Sequence, residues 1–164
     1  MFLAVHASVG ALAGNSAASP EAAFLLGFVS HFFLDMIPHG DEAMLEGYES
    51  GLAKKRAILY VTIDAVATLI LIGVFFWKKE FFHPANAAMG IAGGILPDLL
   101  VGIFEISRPT SRRWLGRQLA RFQRFHVKNH HFLIGRLPRE RDIPLRYGLM
   151  IQFLALIVLM KVIF

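Results

Sequence analysis

Two pairs of residues repeat one spacing. His31 and Asp35, and His126 and His130, each stand four positions apart. On a helix that step returns to the same face, so each pair projects together. Imidazole and carboxylate are the donors preferred by zinc, manganese or iron, and two such pairs supply four of them. Asp98 and His6, which also interrupt apolar stretches, can complete one metal or bridge two. Asp64 lies on a stripe with Tyr60 and Thr68 at four-residue steps, which suits a supporting hydrogen bond, a further ligand or a base. The 164 residues include no cysteine, which excludes disulfides, Cys-ligated zinc, iron–sulfur clusters and thiol catalysis. Any metal is therefore held by His and carboxylates.

The elements that position these residues are apolar helices. Hydrophobic residues make up 55% of the chain and charged ones 18%, where soluble domains average about 45–50% and 25%. The pattern predicts an all-α integral membrane bundle of about five apolar helices plus one basic amphipathic helix at the interface, in a single domain spanning 1–164. The apolar segments are 2–17, 21–37, 57–77, 85–105 and 145–164. The first two are a little short for a full span and are separated by the turn signal Ala18-Ser19-Pro20. Segment 2–17 has no positively charged start and carries His6 inside its apolar run, so it reads as a mature helix and not a signal peptide. In 85–105, Gly90 and Gly94 have the spacing that lets helices approach closely, and Pro97 is expected to kink the helix just before Asp98. His39 and Asp41 follow Pro38 and read as a turn, His83 as a loop residue and His131 as an interfacial one.

The net charge of +5 is unevenly distributed. Segment 106–143 holds ten bases against two acids, which leaves the remainder with seven bases against ten acids. Such a basic block marks the cytoplasmic, anionic-lipid side of an inner or cytoplasmic membrane. Within it, 112–131 is amphipathic: Arg113, Arg117, Arg121, Arg124 and Lys128 share one face, opposite Trp114, Leu115, Leu119, Phe122 and Phe125. His126 falls inside the apolar face and His130 at its edge. With 106–143 placed inside, Lys54-Lys55-Arg56 also falls inside, while Lys78 and Lys79 fall outside. His6, Asp35, Asp64 and Asp98 then all sit in the cytoplasmic half of their helices, as one polar site requires. Ionisable groups in apolar spans are costly and face a partner or a cavity.

These residues carry a family resemblance. Val5-His6-Ala7-Ser8, Ser30-His31-Phe32-Phe33-Leu34-Asp35, Gly94-Ile95-Leu96-Pro97-Asp98 and His126-Val127-Lys128-Asn129-His130 together resemble the motifs of the predicted membrane-bound metal-dependent hydrolases. In that family the motifs are an N-terminal His before a small-residue helix, Leu-Leu-Pro-Asp, His-x-x-x-His, usually as His-Arg-Gly-x-x-His, and last His-Leu-Leu-Leu-Asp. Two features differ here. The His-x-x-x-Asp element precedes the Pro-Asp element, and no Arg or Gly lies between His126 and His130. The His31–Asp35 segment is also similar to a zinc-ligand helix of the zinc phospholipase C and single-strand nuclease superfamily.

The expected activity is hydrolysis of a phosphoester in a lipid or lipid-linked substrate at the cytoplasmic leaflet, with a metal-activated water. The expected metal is divalent, with zinc foremost and manganese or iron as alternatives. His6, His31, Asp35, Asp98, His126 and His130 are the candidate ligands, and Asp64 and Asp98 the candidate catalytic carboxylates. Arg112, Arg113 and Arg117 would draw in anionic headgroups. No nucleophilic-serine, phosphate-loop or dinucleotide signature is present, and no nucleic-acid module accompanies the basic block. Two other readings use the same residues. A metal or proton transport or binding protein predicts polar groups in both membrane halves. A non-catalytic scaffold that docks anionic lipid or a partner predicts no metal.

Overall fold

Six helices and no strand occur among the described residues of the computed structural model, which are 1–40, 51–78, 81–107, 113–136 and 142–164. In chain order they are α1 (Leu3–Asn15), α2 (Pro20–Asp35), α3 (Gly51–Lys78), α4 (Pro84–Ser107), α5 (Trp114–Ile134) and α6 (Leu145–Ile163). The turn signal before α2 works as its chemistry dictates. Ser19 is the N-cap, its hydroxyl accepts from the Ala22 N–H, and Pro20 occupies the first helical turn, where no N–H is missed.

Three of the six helices, not five, are long and apolar enough to cross a membrane: α3 over Lys55–Lys78, α4 over Pro84–Ser107 and α6 over Leu145–Ile163. The reason is length. With 13 and 16 residues, α1 and α2 extend only about 20 and 24 Å against a hydrocarbon core of about 30 Å. Helix α1 is instead enclosed by protein, with Ala4, Val5, His6, Ala7, Ser8, Gly10, Ala11 and Gly14 all buried.

Helices α1, α2 and α4 form the closest-packed unit, with α3 and α6 against α1 and with α5 against α4 and α2. Small residues bring the backbones into contact. A Cβ on Gly90 of α4 would run into the carbonyl oxygen of Gly10 on α1, and one on Gly94 would lie 2.7 Å from the His6 carbonyl oxygen. The backbone cannot retreat as a flexible side chain would. Gly90→Ala should therefore lower stability by about 1–3 kcal/mol, the usual cost of overpacking. Gly73→Ala, whose methyl meets nothing within 4 Å, should leave it unchanged or slightly raised. Thermal unfolding of the two variants in detergent checks this, and equal midpoints would refute the close packing.

Helix α3 touches the bundle through a stripe that includes Ala57, Thr68 and Phe75, all buried. Its other faces expose Ile58, Val61, Leu69 and Ile70. Phe75 joins Ala7, Ala11, Ala87, Ile91 and Ile163 in the main apolar cluster. Helix α5 exposes residues of both expected faces, Trp114, Leu115 and Phe125 of the apolar one included. Arg113, Arg117, Arg121, Arg124 and Lys128 are exposed, while His126 turns inward.

Candidate metal centre

Four side chains from three helices converge at one point: His31 and Asp35 from α2, Asp98 from α4 and His126 from α5. One ligand atom from each lies within 4.8 Å of those from all the others. The i, i+4 step on α2 directs its two members inward together, with His31 Nε2 3.3 Å from Asp35 Oδ2. His126 Nε2 stands 3.0 Å from His31 Nε2, 3.2 Å from Asp35 Oδ2 and 3.5 Å from Asp98 Oδ1. His31 Nε2 is 3.7 Å from Asp98 Oδ1.

The surroundings hold these groups in place. His31 Nδ1 lies 2.9 Å from the Gly94 carbonyl oxygen, so Nδ1 carries the hydrogen and Nε2 presents its lone pair to the cluster. Phe32 sets the approach of α5, with its ring 5.2 Å from that of Phe125 and 6.3 Å from that of Phe122. Asn129 Nδ2 donates to the Phe32 carbonyl at 2.9 Å, in the last turn of α2, where that oxygen also accepts from the Met36 N–H at 3.2 Å. Asn129 and Phe32 therefore fix where His126 stands.

The donor set suits a divalent cation. Two imidazoles and two carboxylates are present, one imidazole has its tautomer set by a backbone carbonyl, and their ligand atoms face one another. Burial works against a proton on His126, yet Asp35 and Asp98 outweigh it and hold the imidazole up at about 9. A proton thus occupies the position for which a cation would compete. Asp35 is 2% exposed, whereas the Asp98 side chain is 29% exposed. The centre therefore opens on the Asp98 side.

The other candidate residues lie around this group. His6 Nε2 is 3.1 Å from Asp35 Oδ1 and its ring stacks on His31 with centroids 4.1 Å apart, so it orients both without belonging to the four. Asp64 stands at the start of α1, where Oδ2 accepts from the Leu3 N–H at 2.7 Å and Oδ1 accepts from the Thr68 hydroxyl at 3.5 Å. His130 is brought to His39, with Nε2 atoms 3.2 Å apart. Arg113 is the N-cap of α5 and Arg117 lies in its first turn. Arg117 is roughly 14 Å along the helix from His126 at about 1.5 Å per residue, so the structure does not bring these arginines into the cluster. Arg112 and Asp41 lie outside the described residues.

His39, Asn129 and Gln152 are participants the sequence reading passed over. His39 had a signal, since it continues the four-residue step from His31 and Asp35, but Pro38 made a turn the simpler reading. No protein-family model, curated protein or solved structure matches this chain.

Proposed function

We propose that this chain is a membrane-embedded, divalent-metal-dependent hydrolase that cleaves a phosphoester of a lipid or lipid-linked substrate at the cytoplasmic leaflet. The observation that carries this reading is the convergence of His31, Asp35, Asp98 and His126 from three helices on one buried point that opens at Asp98. The four motifs of the family resemblance contribute to this one region, although they are scattered from residue 6 to residue 130.

A divalent cation held by these four side chains would supply Lewis acidity toward a phosphoryl oxygen and acidify a coordinated water. The residues around it supply orientation and charge. Asp98, the accessible carboxylate, would take a proton from the attacking water, while His31 and Asp35 are held from behind by Gly94 and His6. The exposed apolar faces of α3 and α6 are solvated by lipid tails, since a patch that large would associate in water. The cationic face of α5 lies against anionic headgroups and holds the substrate leaflet near the centre. Zinc fits the donor set best, and manganese or iron would also bind it. The supporting experiment is release of phosphate or headgroup from a panel of phospholipids and lipid phosphates in detergent, lost on chelation and restored by added metal. Metal binding without turnover on any of them would count against hydrolysis and favour the binding or transport reading.

Asp64 separates a reacting carboxylate from a positioning one. Its bond to the Leu3 N–H places it as an anchor for α1, and an amide oxygen can accept that bond as well. Asp64→Asn should therefore retain activity within about tenfold, whereas Asp64→Ala should lower stability by about 1–3 kcal/mol, the cost of a lost buried partner. A loss of turnover beyond about a hundredfold in a stably folded Asp64→Asn protein would instead make Asp64 the base.

A further inference from the structure

The centre described above uses one face of Asp35. Its Oδ2 meets His31 and His126, but Oδ1 points to a second group of donors. The Met1 nitrogen lies 2.9 Å from Oδ1 and 2.5 Å from His39 Nε2, which marks a point on which the carboxylate and the imidazole both converge. His130 Nε2 reaches the same imidazole nitrogen at 3.2 Å.

His39 is built as a ligand would be. It lies outside any helix yet is fully buried, and its Nδ1 is 2.6 Å from the Ile37 carbonyl oxygen. A carbonyl only accepts, so Nδ1 carries the hydrogen and Nε2 presents the lone pair, the same device that Gly94 provides for His31. The loop itself is held by two long-range hydrogen bonds and a glycine turn. Gln152 Nε2 donates to the His39 carbonyl at 3.3 Å, the Gly40 N–H donates to Asp142 Oδ2 at 2.7 Å, and Gly40 takes a φ of 81°, which favours glycine. A loop residue kept only as a turn needs none of this.

We infer that His39 and His130 hold a second divalent cation and that Asp35 bridges it to the first through Oδ1. This rests on the metal-centre reading above and extends it to a binuclear centre. Two imidazoles and one shared carboxylate are donors of the kind that catalytic metal sites use. The Met1 nitrogen precedes α1, which begins at Leu3, so it moves aside without unwinding a helix. Two cations would suit in-line displacement at a phosphoryl group, the substrate class proposed above.

The test is metal counting by elemental analysis and Mn(II) electron paramagnetic resonance on the full chain, purified in detergent and loaded with Zn(II) or Mn(II). The wild type should hold about two equivalents with spin-coupled Mn(II), while His39→Gln and His130→Gln should each hold about one, uncoupled. His131→Gln, on the next position of α5, should keep both and controls for disruption of the helix. A wild type with one equivalent that both variants retain would overturn the second site and leave the first intact. Two equivalents retained in both variants would overturn the assignment to His39 and His130. A wild type that takes up no metal would overturn the mononuclear reading as well.

Discussion

Replacing Asp35 with Ala should abolish metal uptake and all chelator-sensitive turnover, and it should also destabilise the metal-free protein. Asp35 is 2% exposed and is the carboxylate that the Nε2 atoms of His6, His31 and His126 all face. Without it, three imidazoles are left facing one another in a buried space with no carboxylate between them. Breaking a buried ionic group by removing one partner costs about 3–5 kcal/mol, which is about two to four orders of magnitude in an equilibrium constant. Asp35→Asn keeps the volume and one accepting oxygen, so it should recover much of the stability but little of the metal. Thermal unfolding in detergent and metal content, read on the same samples, separate the two effects. An Asp35→Asn protein that kept full metal content would remove Asp35 from the ligand set.

Asp98→Asn should have the second-largest effect, and of a different kind. Its carboxylate is the accessible one, and it lies further from both imidazoles than Asp35 does, at 3.5 and 3.7 Å. Three donors remain after the substitution, which is enough to hold a catalytic zinc ion. Turnover should therefore fall by about two to four orders of magnitude, the usual contribution of a general acid or base, while metal content falls much less. Parallel loss of metal and activity would make Asp98 a ligand alone. Unchanged turnover would show that it neither binds nor reacts.

The centre was largely legible in the sequence because its chemistry is expensive where it stands. His31 and Asp35 interrupt an apolar run at one helical step, Asp98 follows a helix proline, and His126 falls on the wrong side of a basic amphipathic helix to be a solvated residue. Each of these is a local fact, readable without a fold. What each side chain meets is not local. Asp64 resembled a reacting carboxylate from its position in an apolar helix, and only the packing of α1 against α3 shows that it meets the Leu3 N–H. His39 was read as a turn because Pro38 ends the helical phase that would have joined it to Asp35. Its partners, His130 and Gln152, are 91 and 113 residues away.

The architecture divided in the same way. The long apolar stretches of α3, α4 and α6 were visible as spans, and the shortness of the first two segments was visible as well. That α1 is surrounded by protein follows from Gly10 meeting Gly90, a contact between chain-distant glycines that composition does not record. Helix α3 begins at Gly51, well before its apolar run, because hydropathy marks what lipid would cover while the helix continues through Lys54, Lys55 and Arg56. Those residues are good helix formers, so the helix does not stop where the apolar run does.

The central claim is that His31, Asp35, Asp98 and His126 hold a divalent cation. Its most direct test is elemental analysis of the detergent-purified wild type after incubation with Zn(II), Mn(II) or Fe(II) and removal of free metal, beside His31→Ala. The account predicts at least about one tightly held equivalent per chain in the wild type and its loss in the variant, since His31 is a fully buried donor oriented by the Gly94 carbonyl, unlike the accessible Asp98. A wild type that retains none of the three metals would contradict it.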